Sequence, residues 1–354
     1  FLIAALAVGG LLILSHGHPI DYVQTALIRL SLQSKQAALD QPISSSDTTN
    51  VRFTVTPGDS PRVIAENLYN AGLIGDAQLF VDYVRGYDID VQLQAGTYFL
   101  KRTQSIRQIA QTLTDSRNSA ITFSIIEGWR MEEVAEAIDK NGLFGFSGAD
   151  FLKSVGAGAS VDPTFAQNVG LPSGASLEGF LFPNTYSLPP DATPDLLRDT
   201  LLDEFTKEID DAGIPAAAAN EHMSVFQVVT LASIVQREAV HMDEAPKIAG
   251  VYVNRLNANM EMDADPTVQY ALAGPGNWWP QITQADYTNT ISSYNTYLNP
   301  GLPPGPIANP GLDALKAAAN PLPSDYLYFQ ADCNGSGYHR FAQTFAEHVA
   351  NDCS

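Results

Sequence analysis

Seven residue pairs recur along this chain at one fixed offset of 70: Phe53 with Phe123, Val55 with Ile125, Gly58 with Gly128, Ala65 with Ala135, Leu68 with Ile138, Gly72 with Gly142 and Leu73 with Leu143. In the first copy residues 52–55 alternate like a strand, Pro57-Gly58-Asp59 turns, and residues 61–69 show helical periodicity until Gly72 stops it. The repeat therefore predicts a strand–turn–helix unit laid down twice. Two common patterns matching by accident is the competing reading. Duplication is favoured because glycine and apolar positions coincide together. Between the copies, residues 94–101 read as a further strand around Ala95-Gly96-Thr97-Tyr98.

The remaining length bounds the architecture: 354 residues suffice for two or three domains with separate cores. With 45% hydrophobic and 16% charged residues, the bulk is neither disordered nor polytopic in a membrane. A formal charge of -20 would repel a phosphate backbone, so nucleic acid is excluded as a partner. Residues 1–14 carry no charge, and residues 1–15 read as the remainder of a transmembrane anchor. A signal-peptide core is the rival; the lack of a small-x-small cleavage site after Leu14 favours the anchor. Residues 16–50, with Pro42 and a serine run, read as a linker before a folded part that begins near Val51.

Cys333 and Cys353 are the chain's two cysteines and lie close together near its end. A disulfide between them fits an oxidising, extracytoplasmic compartment; two free thiols are the alternative. No zinc-type spacing occurs, and no metal or organic cofactor is expected.

From residue 162 onward helical stretches alternate with loops rich in Pro and Gly. Residues 196–212 and 225–239 read as helices, while residues 299–310 hold five prolines and fit neither regular element. On the second helix Glu238 falls at the edge of an apolar stripe, where lost hydration raises a carboxyl's pKa as a general acid requires. Most glutamates so placed merely end a helix, so position alone leaves the role open. Other segments are dense in residues that grip sugars, aromatic faces for pyranose rings and Asn, Thr or Arg for hydroxyls and acetamides. They contain Glu178, Asn254, Arg255, Asp265, Thr267, Tyr270, Tyr294 and Asn295. Core packing is the competing role for each, and likewise for His339 and His348.

Taken in order, LEGFLFPNTY, LASIVQRE, AGVYVNRL, DADPTVQY, YNTY, GLPPGPIANPG, ALKAAANP, YLYF and H-x-F-x-x-T-x-x-EH closely resemble the endolytic murein transglycosylase (MltG, YceG-like) family. Residues 51–120 have the size and pattern of a LysM-like module, a type that binds N-acetylglucosamine polymers, an analogy of fold alone. Glu238 matches the family's catalytic glutamate; the residue two before it, acidic in some relatives, is Gln236 here.

The resemblance implies cleavage of the MurNAc–GlcNAc β-1,4 bond of nascent peptidoglycan strands, Glu238 serving as acid and then base to leave 1,6-anhydro ends. Glu178 or Asp265, if held about 5–9 Å away, would instead permit a hydrolytic muramidase; an idle peptidoglycan-binding scaffold is the third possibility. The fold class expected is α+β: an N-terminal membrane helix, the LysM-like module, and a mainly helical catalytic region over residues 121–354 with inserted loops and short strands. The implied setting is a single-pass protein of the cytoplasmic membrane, its catalytic region on the periplasmic side beside peptidoglycan synthases.

Overall fold

The computed structural model of the chain describes residues 19–115 and 120–353. The expected anchor lies outside the described residues. Among those described, no helix is long and apolar enough to cross a membrane. The chain is a helix-rich α+β protein with short strands, its described residues divided into two compact units: those up to 121 together with 187–191, and 122–186 together with those from 192 onward.

The first unit runs α1 (Pro19–Gln33), α2 (Gln36–Asp40), β1 (Asn50–Val55), α3 (Pro61–Asn70), α4 (Ala77–Gly86), β2 (Gly96–Lys101) and α5 (Ile106–Thr112). β1 and β2 pair antiparallel with Phe53 opposite Tyr98, and the alternation of β1 sends Phe53 and Val55 into the core. Helix starts follow local chemistry. Ser60 and Asp76 cap α3 and α4 by accepting the Val63 and Leu79 N–H groups, and Pro61 takes the first helical position.

The segment expected to be a linker is largely helical, which corrects the reading from composition. Leu32 and Leu39 are fully buried with Phe80 and Val84 in the core of this unit. Gly86 allows the approach of α1, because a Cβ there would stand 3.0 Å from Leu32 Cδ1 and 3.1 Å from Ile28 Cγ2. Two well-spaced leucines outweigh the polar residues around them.

After β3 (Ile121–Ser124) the second unit contains α6 (Met131–Asn141), α7 (Gly148–Val155), α8 (Pro163–Val169), β4 (Thr185–Leu188), α9 (Pro194–Asp211), α10 (Ile214–Asn220), α11 (Val225–Glu238), α12 (Ala245–Asn257), α13 (Asp265–Leu272), α14 (Asp286–Asn289) and α15 (Leu312–Ala319). It closes with β5 (Tyr328–Ala331), β6 (His339–Ala342) and α16 (Phe345–Ala350). The repeat reappears as geometry: the turn glycines Gly58 and Gly128 have φ of 93° and 79°, and the glycines that end α3 and α6 both have φ of 66°.

Helix α11 is the hub of this unit. Ser224 and Gln227 form a reciprocal capping box at its start, and it packs against α12 and α15. Its side chains from Val228 to Val235 are all buried. The helix is thus buried on every face for most of its length, rather than along one stripe, with the Thr230 and Ser233 hydroxyls donating to backbone carbonyls. Glu238 is its last residue.

The proline-rich loop is buried from Gly305 to Pro310, and side chains satisfy its backbone. Ile307 N–H donates to Ser233 Oγ at 3.0 Å and Gly311 N–H to Gln236 Oε1 at 2.9 Å, while Asn309 Oδ1 accepts the Gly179 and Leu181 N–H groups at 2.9 and 3.0 Å. This loop braces α11 just before Glu238.

Candidate active site

Two helices meet at Glu238. Tyr252, near the middle of α12 and only 1% exposed, donates its hydroxyl proton to Glu238 Oε1 at 2.7 Å. The Glu238 carboxyl is partly buried and lines a cleft of about 500 Å³. Burial pushes it up to about 7, the Tyr252 hydrogen bond pulls the other way, and the charge of Asp265 adds to the rise. A carboxyl of that acidity holds its proton near neutral pH and can release and recover it.

Opposing acidic and basic groups fill the next layer. Arg255, one turn after Tyr252 on α12, donates to Glu261 O at 2.6 Å and Leu327 O at 3.2 Å and forms an ion pair with Asp263. Asp263 has a left-handed backbone, φ 51°, a conformation that aspartate tolerates better than most residues. Asp265 opens α13 beside it. Its Oδ1 accepts the Tyr297 hydroxyl at 2.6 Å and its Oδ2 the Tyr287 hydroxyl at 3.4 Å, while the two tyrosine rings stack 4.2 Å apart. Asp265 is thereby held as an acceptor in the same cleft as Glu238.

The far wall comes from the C-terminal hairpin and helix. β5 and β6 pair with Phe329 opposite Phe341, and Cys333 and Cys353 are disulfide-bonded with Cα atoms 5.2 Å apart. Tyr328, Phe329, His339, Phe345 and His348 reach the cleft from this segment. His339 is anchored to Glu244, its Nδ1 lying 3.1 Å from Glu244 Oε2 and its backbone N–H donating to the same carboxylate. His348 differs: among the described residues its Nδ1 is buried without a partner.

Of the residues singled out in the sequence, Glu238, Arg255, Asp265, His339 and His348 line this cleft, whereas Glu178, Asn254, Thr267, Tyr270, Tyr294 and Asn295 are not among its lining residues. Glu178 is 1% exposed and accepts the Met131 N–H and the Asn309 side-chain N–H, both at 3.1 Å to Oε1. Burial pushes its carboxyl up to about 8. These bonds fasten the proline-rich loop. Asn254 donates to Ser324 O and Tyr326 O, holding the approach to β5. Thr267 is buried against Thr296, and Asn295 donates to Tyr287 O and Thr290 O. Tyr270 lies under the Arg130 guanidinium, 3.9 Å from ring centroid to Cζ, and 4.8 Å from the Tyr294 ring. These polar side chains satisfy buried backbone or pack on one another, which composition cannot distinguish from binding sugar. Tyr252, Tyr297 and Tyr328 stand within the motifs AGVYVNRL, YNTY and YLYF, yet a tyrosine there reads equally as core.

A larger hollow of about 1040 Å³ lies along α8 and α9. Among its lining residues, Asp162 caps α8 and Asp199 pairs with Arg198.

Known proteins resemble this chain in sequence and fold. The profile of the YceG-like family matches residues 53–353. A Bacillus subtilis (strain 168) protein named endolytic murein transglycosylase is 31% identical over 88% of this chain and 86% of its own length. A Streptococcus pneumoniae (strain D39) protein of the same name is 30% identical over 94% of this chain and 66% of its own length. A crystal structure of a YceG-like protein from Listeria monocytogenes superposes with a TM-score of 0.56 at 29% identity, covering 86% of this chain and all of that one. On this coverage the chain belongs to the YceG-like family.

Proposed function

We propose that the chain is an endolytic peptidoglycan lytic transglycosylase in which Glu238 is both proton donor and proton acceptor. The observation that carries this reading is the partly buried Glu238 carboxyl, pushed up to about 7 and held by Tyr252 at the wall of an open cleft. The name shared by the two relatives supports it.

Protonated Glu238 gives its proton to the oxygen of the MurNAc–GlcNAc β-1,4 bond as that bond to C1 breaks and positive charge grows at the anomeric carbon. The carboxylate then takes the proton of the muramic acid C6 hydroxyl, and that oxygen bonds to C1 to close a 1,6-anhydro ring. Glu238 ends protonated, as it began, and no water is consumed. Tyr252 favours the ionised intermediate state by donating to it. Exclusion of water from C1 decides between ring closure and hydrolysis.

Asp265 in the same cleft gives substance to one other reading, a muramidase with a second carboxylate. Both of its oxygens are engaged by tyrosine hydroxyls, an arrangement suited to steadying positive charge at C1. Mass spectrometry of digested glycan strands separates the readings: anhydro ends support the transglycosylase and reducing ends the muramidase. Glu238→Gln should abolish release of either while leaving the fold intact. Continued release by that variant would reject Glu238 as the proton donor.

The setting we infer is a single-pass anchor in the cytoplasmic membrane, with residues 51–120 acting as a LysM-like glycan-binding module close to peptidoglycan synthases. The disulfide between Cys333 and Cys353 fits an oxidising compartment on the outer side of that membrane. Membrane fractionation and protease accessibility of the whole protein in cells test the anchor and its orientation.

A further inference from the structure

Helix α16 presents Phe345 and His348 on one face, three residues apart, towards Tyr328 of β5. The Tyr328 and His348 rings lie 5.3 Å apart and 25° from parallel, and the Phe345 ring is 6.0 Å from Tyr328. All three line the cleft that holds Glu238. Phe345 is 64% exposed, so its ring does little to fill a core.

His348 adds a polar edge to this aromatic group. Its Nδ1 is buried without a partner and faces away from solvent, so Nε2, which makes no hydrogen bond among the described residues and is not buried, is the nitrogen open to a ligand. Burial and the neighbouring Arg255 charge both favour the neutral ring, against a weaker opposing effect of Asp352. A neutral imidazole in an acidic cleft suits an uncharged ligand that can give and take hydrogen bonds, and an exposed aromatic face suits the C–H face of a pyranose.

We propose that Phe345 and His348 form a pyranose-binding subsite of the Glu238 cleft, held in place by the Cys333–Cys353 disulfide. The disulfide joins the β5–β6 turn to the residues just after α16, and so fixes the helix that carries both side chains. The inference rests on the reading of that cleft as the glycan-cleaving site.

The test measures binding without cleavage. Peptide-free glycan strands are titrated calorimetrically into the Glu238→Gln protein and into the same protein with Phe345→Ala, Phe345→Trp, His348→Ala, or Cys333→Ser with Cys353→Ser. We expect Phe345→Ala, His348→Ala and the cysteine pair each to weaken binding about three- to tenfold, and Phe345→Trp to keep it. Far-ultraviolet dichroism establishes that each variant is folded. Unchanged affinity in folded Phe345→Ala and His348→Ala proteins overturns the subsite, as does a Phe345→Trp protein that binds no better than Phe345→Ala. Cleavage of the strands by Glu238→Gln alone would instead bring down the assignment of the proton donor, so the two failures are told apart.

Discussion

The Tyr252 hydroxyl sits 2.7 Å from Glu238 Oε1 and is the one side-chain donor bonded to that carboxyl among the described residues. The bond stabilises the ionised form and so opposes the rise caused by burial. Tyr252→Phe should therefore move Glu238 above about 7. Because the first step of the proposed mechanism needs the protonated acid, the alkaline limb of kcat/KM should shift upward by about one pH unit. The base form is also less stable, so kcat should fall by about tenfold. A pH–rate profile of the variant that keeps the parent limb would show that Tyr252 does not tune Glu238.

Asp265 acts on Glu238 in the opposite sense, through its negative charge. Asp265→Asn keeps an oxygen for the Tyr297 hydroxyl but removes that charge. The alkaline limb should then move to lower pH by about half a unit. The size of the rate change bears on the mechanism. Loss of charge support at C1 should cost about tenfold, with anhydro ends retained; loss of an obligatory nucleophile or base should cost about a thousandfold or more. The second outcome would favour a muramidase.

Glu178 couples folding to pH. Burial raises its carboxyl from 4.5 to about 8 in the folded protein. Between those values the native state binds more protons than the unfolded chain, so stability falls as pH climbs through that window and its contribution is complete below it. Glu178→Gln leaves an acceptor for the Met131 N–H but cannot ionise. From pH 5 to pH 8 the parent should lose stability relative to this variant by on the order of 3 kcal/mol. Urea unfolding at the two pH values measures the difference, and an unchanged gap would refute the linkage.

These three residues show what a single chain makes legible. Glu238 stands out in the sequence because it lies in a recognisable ordered motif and ends a strongly apolar helix. Its partners are harder, since Tyr252, Asp265 and Tyr297 arrive from separate segments and each has an equally good structural use. Glu178 and Asn295 look like sugar ligands in sequence, yet they bond to backbone groups of loops whose paths only the fold reveals. The strand–turn–helix repeat was visible because glycines with positive φ punctuate both copies. Helices α1 and α2 are hard to read because only Leu32 and Leu39 among their described side chains are fully buried, so no broad apolar stripe marks the face that packs. The wall formed by Phe345 and His348 depends on a hairpin and a disulfide turning the chain end back to the cleft.

The proline-rich loop beneath Glu238 depends on one glycine. Gly179 has φ of 90°, and a Cβ there would stand 2.5 Å from Pro306 Cβ and 2.8 Å from Val229 Cγ1 of α11. Neither neighbour is the far end of a flexible side chain, so Gly179→Ala must push the loop away from α11 in addition to straining the backbone. Its N–H bond to Asn309 Oδ1 would be disturbed with it. Gly174, with φ of 77° and open space where its Cβ would point, provides the control. Gly174→Ala should cost only the conformational strain, about 1 kcal/mol, whereas Gly179→Ala should cost about 3 kcal/mol or more and lower activity by displacing Glu238. Urea unfolding of the two variants isolates the close approach, because the backbone strain is common to both. Equal losses would mean that the contact with Pro306 and Val229 is relieved without consequence.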